Sequence, residues 1–200
     1  MRYGAFILML ALLAGCSAPT VPDITYFQLP ANRVSIVHAE QATFSLPIVV
    51  DSFTADGIYS EQALLYVPAA EPTSLRAYHY QLWSDPPARL LQRRLIDQLN
   101  AAHVSDLVSD RLTSNIDALH VSTLIRGFER TQEGGRARCL VRLQIRVDRS
   151  QLNTPLLIKD YGAEGVSEKD DIASTVQCLG AAVDEIFAGF IDDMRKLRVD

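Results

Sequence analysis

From residue 136 to 149 the chain alternates: Cys139, Val141, Leu143, Ile145 and Val147 form one row, and Arg138, Arg142 and Arg146 stand on the other. A period of two sustained this long predicts a strand with one face on a core and the other in water. Residues 117–130 predict a second long strand. Between the two, Thr131-Gln132-Glu133-Gly134-Gly135 reads as a hairpin loop whose glycines accept positive φ. A long hairpin with one apolar face needs an element laid across that face, and the chain supplies one downstream. Over residues 168–197, Ile172, Val176, Leu179, Val183, Ile186, Phe190 and Met194 recur at helical spacing. Asp170 and Asp171 near the start and Arg195, Lys196 and Arg198 at the end complement the helix dipole.

Shorter apolar runs at 25–29, 44–53, 63–67, 75–83 and 156–163 predict further strands, punctuated by Asp56-Gly57 and Pro68. Ser84-Asp85-Pro86-Pro87 ends one of them, with Asp85 placed to cap a helix that tolerates proline in its first turn. That helix runs to about residue 100 and gathers Ala88, Leu91, Leu95, Leu99 and Ala102 on one face. The expected fold is α/β in the α+β sense: a single mostly antiparallel sheet with two main helices packed on it, one domain over residues 24–200.

The N-terminus has a different purpose. Met1-Arg2-Tyr3 gives a short positive start, and residues 5–13 form an apolar run too short to span a bilayer, so residues 1–15 read as a signal peptide. It closes on Leu13-Ala14-Gly15-Cys16, the lipobox pattern of bacterial lipoproteins, in which small residues admit a peptidase and the thiol accepts lipid. Cys16 is therefore the expected lipidation site, carrying covalent diacylglycerol and an N-acyl chain and no other cofactor. Multiple acyl chains give durable membrane anchoring. Residues 16–23, with Pro19 and Pro22, form a tether, and Ser17 after the cysteine favours the outer membrane over the inner, facing the periplasm.

The chemistry-bearing residues are sparse. With 19 basic against 24 acidic side chains the net charge is −5, and loss of Arg2 makes the mature chain more acidic, so nucleic acid is not an expected partner. His38, His79, His103 and His120 lack metal-ligand spacing, no nucleophile motif occurs, and the expectation is no metal, no catalytic residues and no enzyme activity. Gly162-Ala163-Glu164-Gly165 lacks the lysine of a phosphate loop and reads as a plain loop. Cys139 and Cys178 would be free to pair in an oxidising compartment. Cys139 is on the core row while Cys178 sits off its helix's apolar stripe, so geometry argues mildly against the bond. Arg138, Arg142 and Arg146 form either a solvated sheet face or a contact for acidic lipid headgroups or a partner's carboxylates.

The stretch Leu75-Arg76-Ala77-Tyr78-His79-Tyr80-Gln81-Leu82-Trp83-Ser84-Asp85-Pro86-Pro87, leading into an Arg/Leu-rich helix, resembles the ABC-type transport auxiliary lipoprotein family, which includes paraquat-inducible protein C. Tyr26-Phe27-Gln28-Leu29, Leu64-Leu65-Tyr66-Val67, the Gly134-Gly135 hairpin and the terminal helix follow in the family's order. The resemblance implies a non-catalytic accessory of an intermembrane lipid transport system. Its partners would be a mammalian-cell-entry (MCE) domain protein and an ABC permease/ATPase complex, with phospholipid as cargo and a homo-oligomer as the working form. Tyr78, Tyr80 and Trp83 become either contacts or aromatic core. An envelope assembly or regulatory lipoprotein, such as a peptidoglycan synthase activator or a secretion-channel subunit, is the alternative.

Overall fold

A computed structural model describes residues 22–31, 37–112, 116–152 and 154–198. The expected signal peptide and lipidation site Cys16 lie outside the described residues. In chain order the elements are β1 (Thr25–Phe27), β2 (Ile48–Val50), β3 (Thr54–Ala55), a 3-10 turn (Gly57–Ser60), β4 (Ala63–Tyr66), β5 (Arg76–Trp83), α1 (Pro87–Ala101), β6 (Val108–Ser109), β7 (Leu119–Glu133), β8 (Arg136–Arg149), β9 (Leu157–Val166) and α2 (Ile172–Met194).

β7 is the spine of the sheet. Along one edge it takes β2, β3 and β4 in turn, all parallel to it, and along the other it pairs antiparallel with β8, which pairs antiparallel with β9. β5 joins β4 antiparallel, β1 joins β5 parallel and β6 joins β2 parallel. One sheet and two helices are as expected, but "mostly antiparallel" is too strong: the long ladders are antiparallel, whereas most of the short pairings are parallel. Strand direction depends on which end of its neighbour a connection reaches, and residue alternation carries no trace of that.

The hairpin is tighter than expected. Its strands continue through Thr131, Gln132 and Glu133, leaving only Gly134 (φ +57°) and Gly135 (φ +75°) in the turn, as a two-residue reversal between right-twisted strands requires. The ladder slips once. Ile125 pairs with Leu143 but Gly127 with Arg142, so Arg126 is an extra residue. Before this bulge the odd-numbered residues Leu119, Val121 and Ile125 face the helices; beyond it the phase reverses and Phe128 takes that face, stacked on buried Trp83 at 5.0 Å.

α2 covers β8 and β9. Val141, Leu143, Ile145 and Val147 beneath it are fully buried, Phe187 meets Phe53 edge-on at 6.4 Å, and Phe190 meets Tyr161 at 6.0 Å. α2 is long and apolar enough to cross a membrane, but 61% of that apolar window is buried, as befits a helix spent on a sheet. Asp171 caps it, accepting from Ser174 N at 2.7 Å. α1 adds buried Leu91, Leu95 and Leu99. Asp85 does not cap α1: Pro86 occupies that position, and the Asp85 carboxylate takes Arg89 and Arg93 one and two turns on.

Two further expectations are corrected. Cys139 and Cys178 form a disulfide. Although Cys178 flanks the apolar stripe, α2 lies over both β8 and β9, and the flank still reaches the sheet where Gly165, paired with Cys139, leaves space: a Cβ there would lie 2.7 Å from Cys178 Sγ. Residues 162–165 are likewise no loop but the middle and end of β9. Their glycines stand where other side chains pass, Gly165 under the disulfide and Gly162 beside the Arg142 stem.

Candidate functional site

Because Cys139 is bonded into α2, alternation turns Arg138, Leu140, Arg142, Gln144 and Arg146 of β8 to the opposite, helix-free face of the sheet. The predicted arginine row therefore exists, and it is largely closed on itself. Arg138 donates to Glu133 at 2.7 Å and to Glu164 at 3.2 Å, while Arg146 forks onto Asp148 at 2.6 and 2.7 Å. Gln144 donates to Asp160 at 3.0 Å. Charges paired this way at a surface add little to stability and leave little net field for an anionic membrane.

Arg142 differs. Its cross-strand neighbours on both sides are glycines, Gly127 and Gly162. A Cβ on Gly127 would come within 3.1 Å of Arg142 Nε and 3.3 Å of Glu129 Oε2, so the missing side chain gives the guanidinium and the carboxylate their place. Arg142 Nη2 stops 3.9 Å from Glu129 Oε1, beyond hydrogen-bond range.

Glu129 is the unusual residue of this face. It sits opposite Leu140, it is only 3% exposed, and its Oε2 has no hydrogen-bond partner among the described residues. Burial raises its carboxyl above the ordinary range, partly offset by the Phe128 backbone, the Arg142 charge and the Tyr59 hydroxyl. Tyr59, from the 3-10 turn, lies against it with its hydroxyl directed at the carboxylate; burial first, then the Glu129 charge and that hydrogen bond, push the phenol up to about 12. Together these groups floor a cleft of about 440 Å3, walled by Pro68, Leu75, Thr131 and Leu140. The residues after the bulge present Glu129 here; without the extra Arg126, alternation would have turned it towards the helices.

The aromatic residues of β5 are placed elsewhere. Trp83 is 1% exposed in the core. Tyr78 is half-buried on Tyr66, ring centroids 4.4 Å apart, and its hydroxyl accepts from Arg130 Nη1 at 2.8 Å, the same guanidinium that pairs with Asp170 before α2. Tyr80 is half-buried beside His79. Tyr78 and Trp83 thus pack the protein, and the structure does not gather the β5 aromatics with the arginine row. Sequence reasoning found Arg142 but not Glu129, Tyr59 or Gly127. The one signal that pointed there is the sequence Arg126-Gly127-Phe128-Glu129, where the alternation of β7 breaks.

A two-layer α/β fold with an open sheet face and a small acid-floored cleft fixes the architecture and by itself names no reaction. The model of the ABC-type transport auxiliary lipoprotein component family matches residues 27–188, and the chain belongs to that family. Protein XCC0632 from Xanthomonas campestris shares its fold, with a TM-score of 0.66 at 16% identity over 86% of this chain and 92% of that one. The hypothetical protein CT253 from Chlamydia trachomatis aligns with a TM-score of 0.52 at 10% identity over 75% and 96% of the two chains. A PelC dodecamer from Paraburkholderia phytofirmans does so at 0.50 and 8% identity, over 79% and 92%. No curated protein matches the chain.

Proposed function

We propose that this protein is a non-catalytic, lipid-anchored accessory of an ABC-type system that moves lipid between the membranes of the bacterial envelope. One observation carries the reading: membership of the auxiliary lipoprotein family across residues 27–188. The lipobox cysteine, Cys16, supports it from outside the family match. The anchor holds the domain at a membrane, the outer one by the Ser17 rule, facing the periplasm. The folded part docks on an MCE protein that is served by an ABC permease and ATPase. An anchored domain has a high effective concentration at its partner, so a modest interface suffices. A homo-oligomer would multiply that gain, and the PelC dodecamer is an assembly built on a similar fold.

The test is crosslinking in membranes. The wild-type lipoprotein is expected to capture the MCE protein, and Tyr80→Ala, on a half-buried ring of β5, to weaken capture without lowering the melting temperature. Reproducible capture of peptidoglycan synthases or a secretin in place of the MCE protein would replace the transport reading with the regulatory one.

A further inference from the structure

We propose that the cleft floored by Glu129 and Arg142 binds a small zwitterion, a primary ammonium with an anion nearby, the ammonium donating to the Glu129 carboxylate and the anion meeting the Arg142 guanidinium. The first support is the unmet acceptor. The Tyr59 hydroxyl and the Phe128 backbone help the carboxylate but leave Oε2 without a partner among the described residues, and a donor from outside lowers the cost of burying that charge.

The second support is the backbone that makes the arrangement. An extra residue at Arg126 turns Glu129 to the open face, and glycines at 127 and 162 clear a trough for the Arg142 side chain. A fold gains nothing in stability from bringing an acid to the bottom of a cleft in this way; side chains of the same volume without charge would pack there at lower cost.

Charge then selects the ligand. A plain cation would meet Arg142, 3.9 Å from Glu129, and be repelled. A plain anion would meet Glu129. A molecule bearing both signs a few ångströms apart satisfies each, and the looseness of the Glu129–Arg142 pair leaves both able to turn to it. The cleft, about 440 Å3, holds something the size of a headgroup, with Pro68 and Leu75 against its carbon atoms, and has no room for two acyl chains. Phosphoethanolamine has this chemistry, free or as the headgroup of a lipid. The lipid source rests on the transport reading above; the zwitterion site does not.

The full-length lipoprotein in phosphatidylcholine nanodiscs, titrated with O-phosphoethanolamine and followed through the Gly127 and Gly162 amide resonances, provides the test. Saturable shifts are expected, with Glu129→Gln and Arg142→Gln each weakening binding roughly tenfold or more, the scale of one charged hydrogen bond. Phosphocholine, whose quaternary nitrogen has no hydrogen to donate, should bind at least as poorly as those variants do. In a second arm, phosphatidylethanolamine is added to the nanodisc. Glu129-dependent shifts there but not with the free compound would make the lipid the source, and the reverse would make it the free zwitterion. Absence of shifts in both arms, or equal binding by wild type and both folded variants, overturns the proposal without touching MCE capture.

Discussion

Arg94 of α1 grips Asp184 of α2 through two parallel hydrogen bonds, Nε to Oδ1 at 2.8 Å and Nη2 to Oδ2 at 3.0 Å, and Gln98 adds a third to Oδ1 at 2.7 Å. The Asp184 side chain is 3% exposed and that of Arg94 12%, so this is a buried ion pair and the main polar link between the two helices. Removing one partner strands the other. Asp184→Ala is expected to cost about 3 kcal/mol or more, whereas Arg94→Met, Gln98→Leu and Asp184→Leu combined should come closer to wild type, because a buried polar cluster is hard to break but not hard to replace as a whole. Urea denaturation of the three proteins measures both.

The Cys139–Cys178 bond closes a loop of 39 residues between β8 and α2. Its loss should cost about 3–4 kcal/mol, mainly through the freer unfolded chain. Cys178→Ala is expected to lower the melting temperature. A reducing agent should lower that of the wild type and leave the variant unmoved; equal sensitivity in both would show that the bond does not form.

Glu129 sets a pH dependence of unusual sign. Its folded-state pKa lies above the unfolded value, so between the two the native state holds the extra proton and stability falls as pH rises through that window. Glu129→Gln should therefore gain stability relative to wild type from about pH 4.5 upwards, with the two proteins alike below it. Thermal melts from pH 4 to 8 read the difference. A variant that loses ligand while gaining stability is the expected mark of a site kept for binding.

Asp193 has the opposite sign. Lys159 at 2.6 Å, with Lys196 and the Tyr161 hydroxyl, holds its carboxyl down to about 2, against an ordinary 3.8. What this adds is present above the ordinary value and lost as pH falls through 2. The cluster is largely exposed, so solvent screens it and the effect is small. Lys159→Met should make acid unfolding begin at slightly higher pH.

The anchor prediction needs no tertiary structure. Cys16→Ala should abolish labelling by a palmitate analogue and leave the folded domain intact; equal labelling of the two proteins would reject lipidation at this position.

Much of the fold can be read directly from residue order. The row from Cys139 to Val147 and the stripe from Ile172 to Met194 both appear where expected, because burial is imposed on one face at a time and leaves its period in the sequence. The direction of β2, β3, β4 and β6 does not show, nor does the Cys139–Cys178 bond, since each depends on where two distant segments meet. The site was less legible still. Arg142 stood out as one of a row, but Glu129 is one of two acids in β7, and its setting comes from an extra residue three positions earlier and from glycines on its own strand and on β9.

Local chemistry along the chain was enough to specify the long hairpin and the amphipathic helices, and to point to Cys16 as the proposed lipid attachment, since each is a contiguous pattern acting on itself or its near neighbours. Assembly in three dimensions settled that Trp83 is core, that most of the arginines of β8 are neutralised by acids, and that Glu129 lies beside Arg142 with an oxygen unmet. The physical reason is the one-residue bulge at Arg126: a slip of one position exchanges the two faces of a strand, and only the pairing with β8 reveals where that slip occurs.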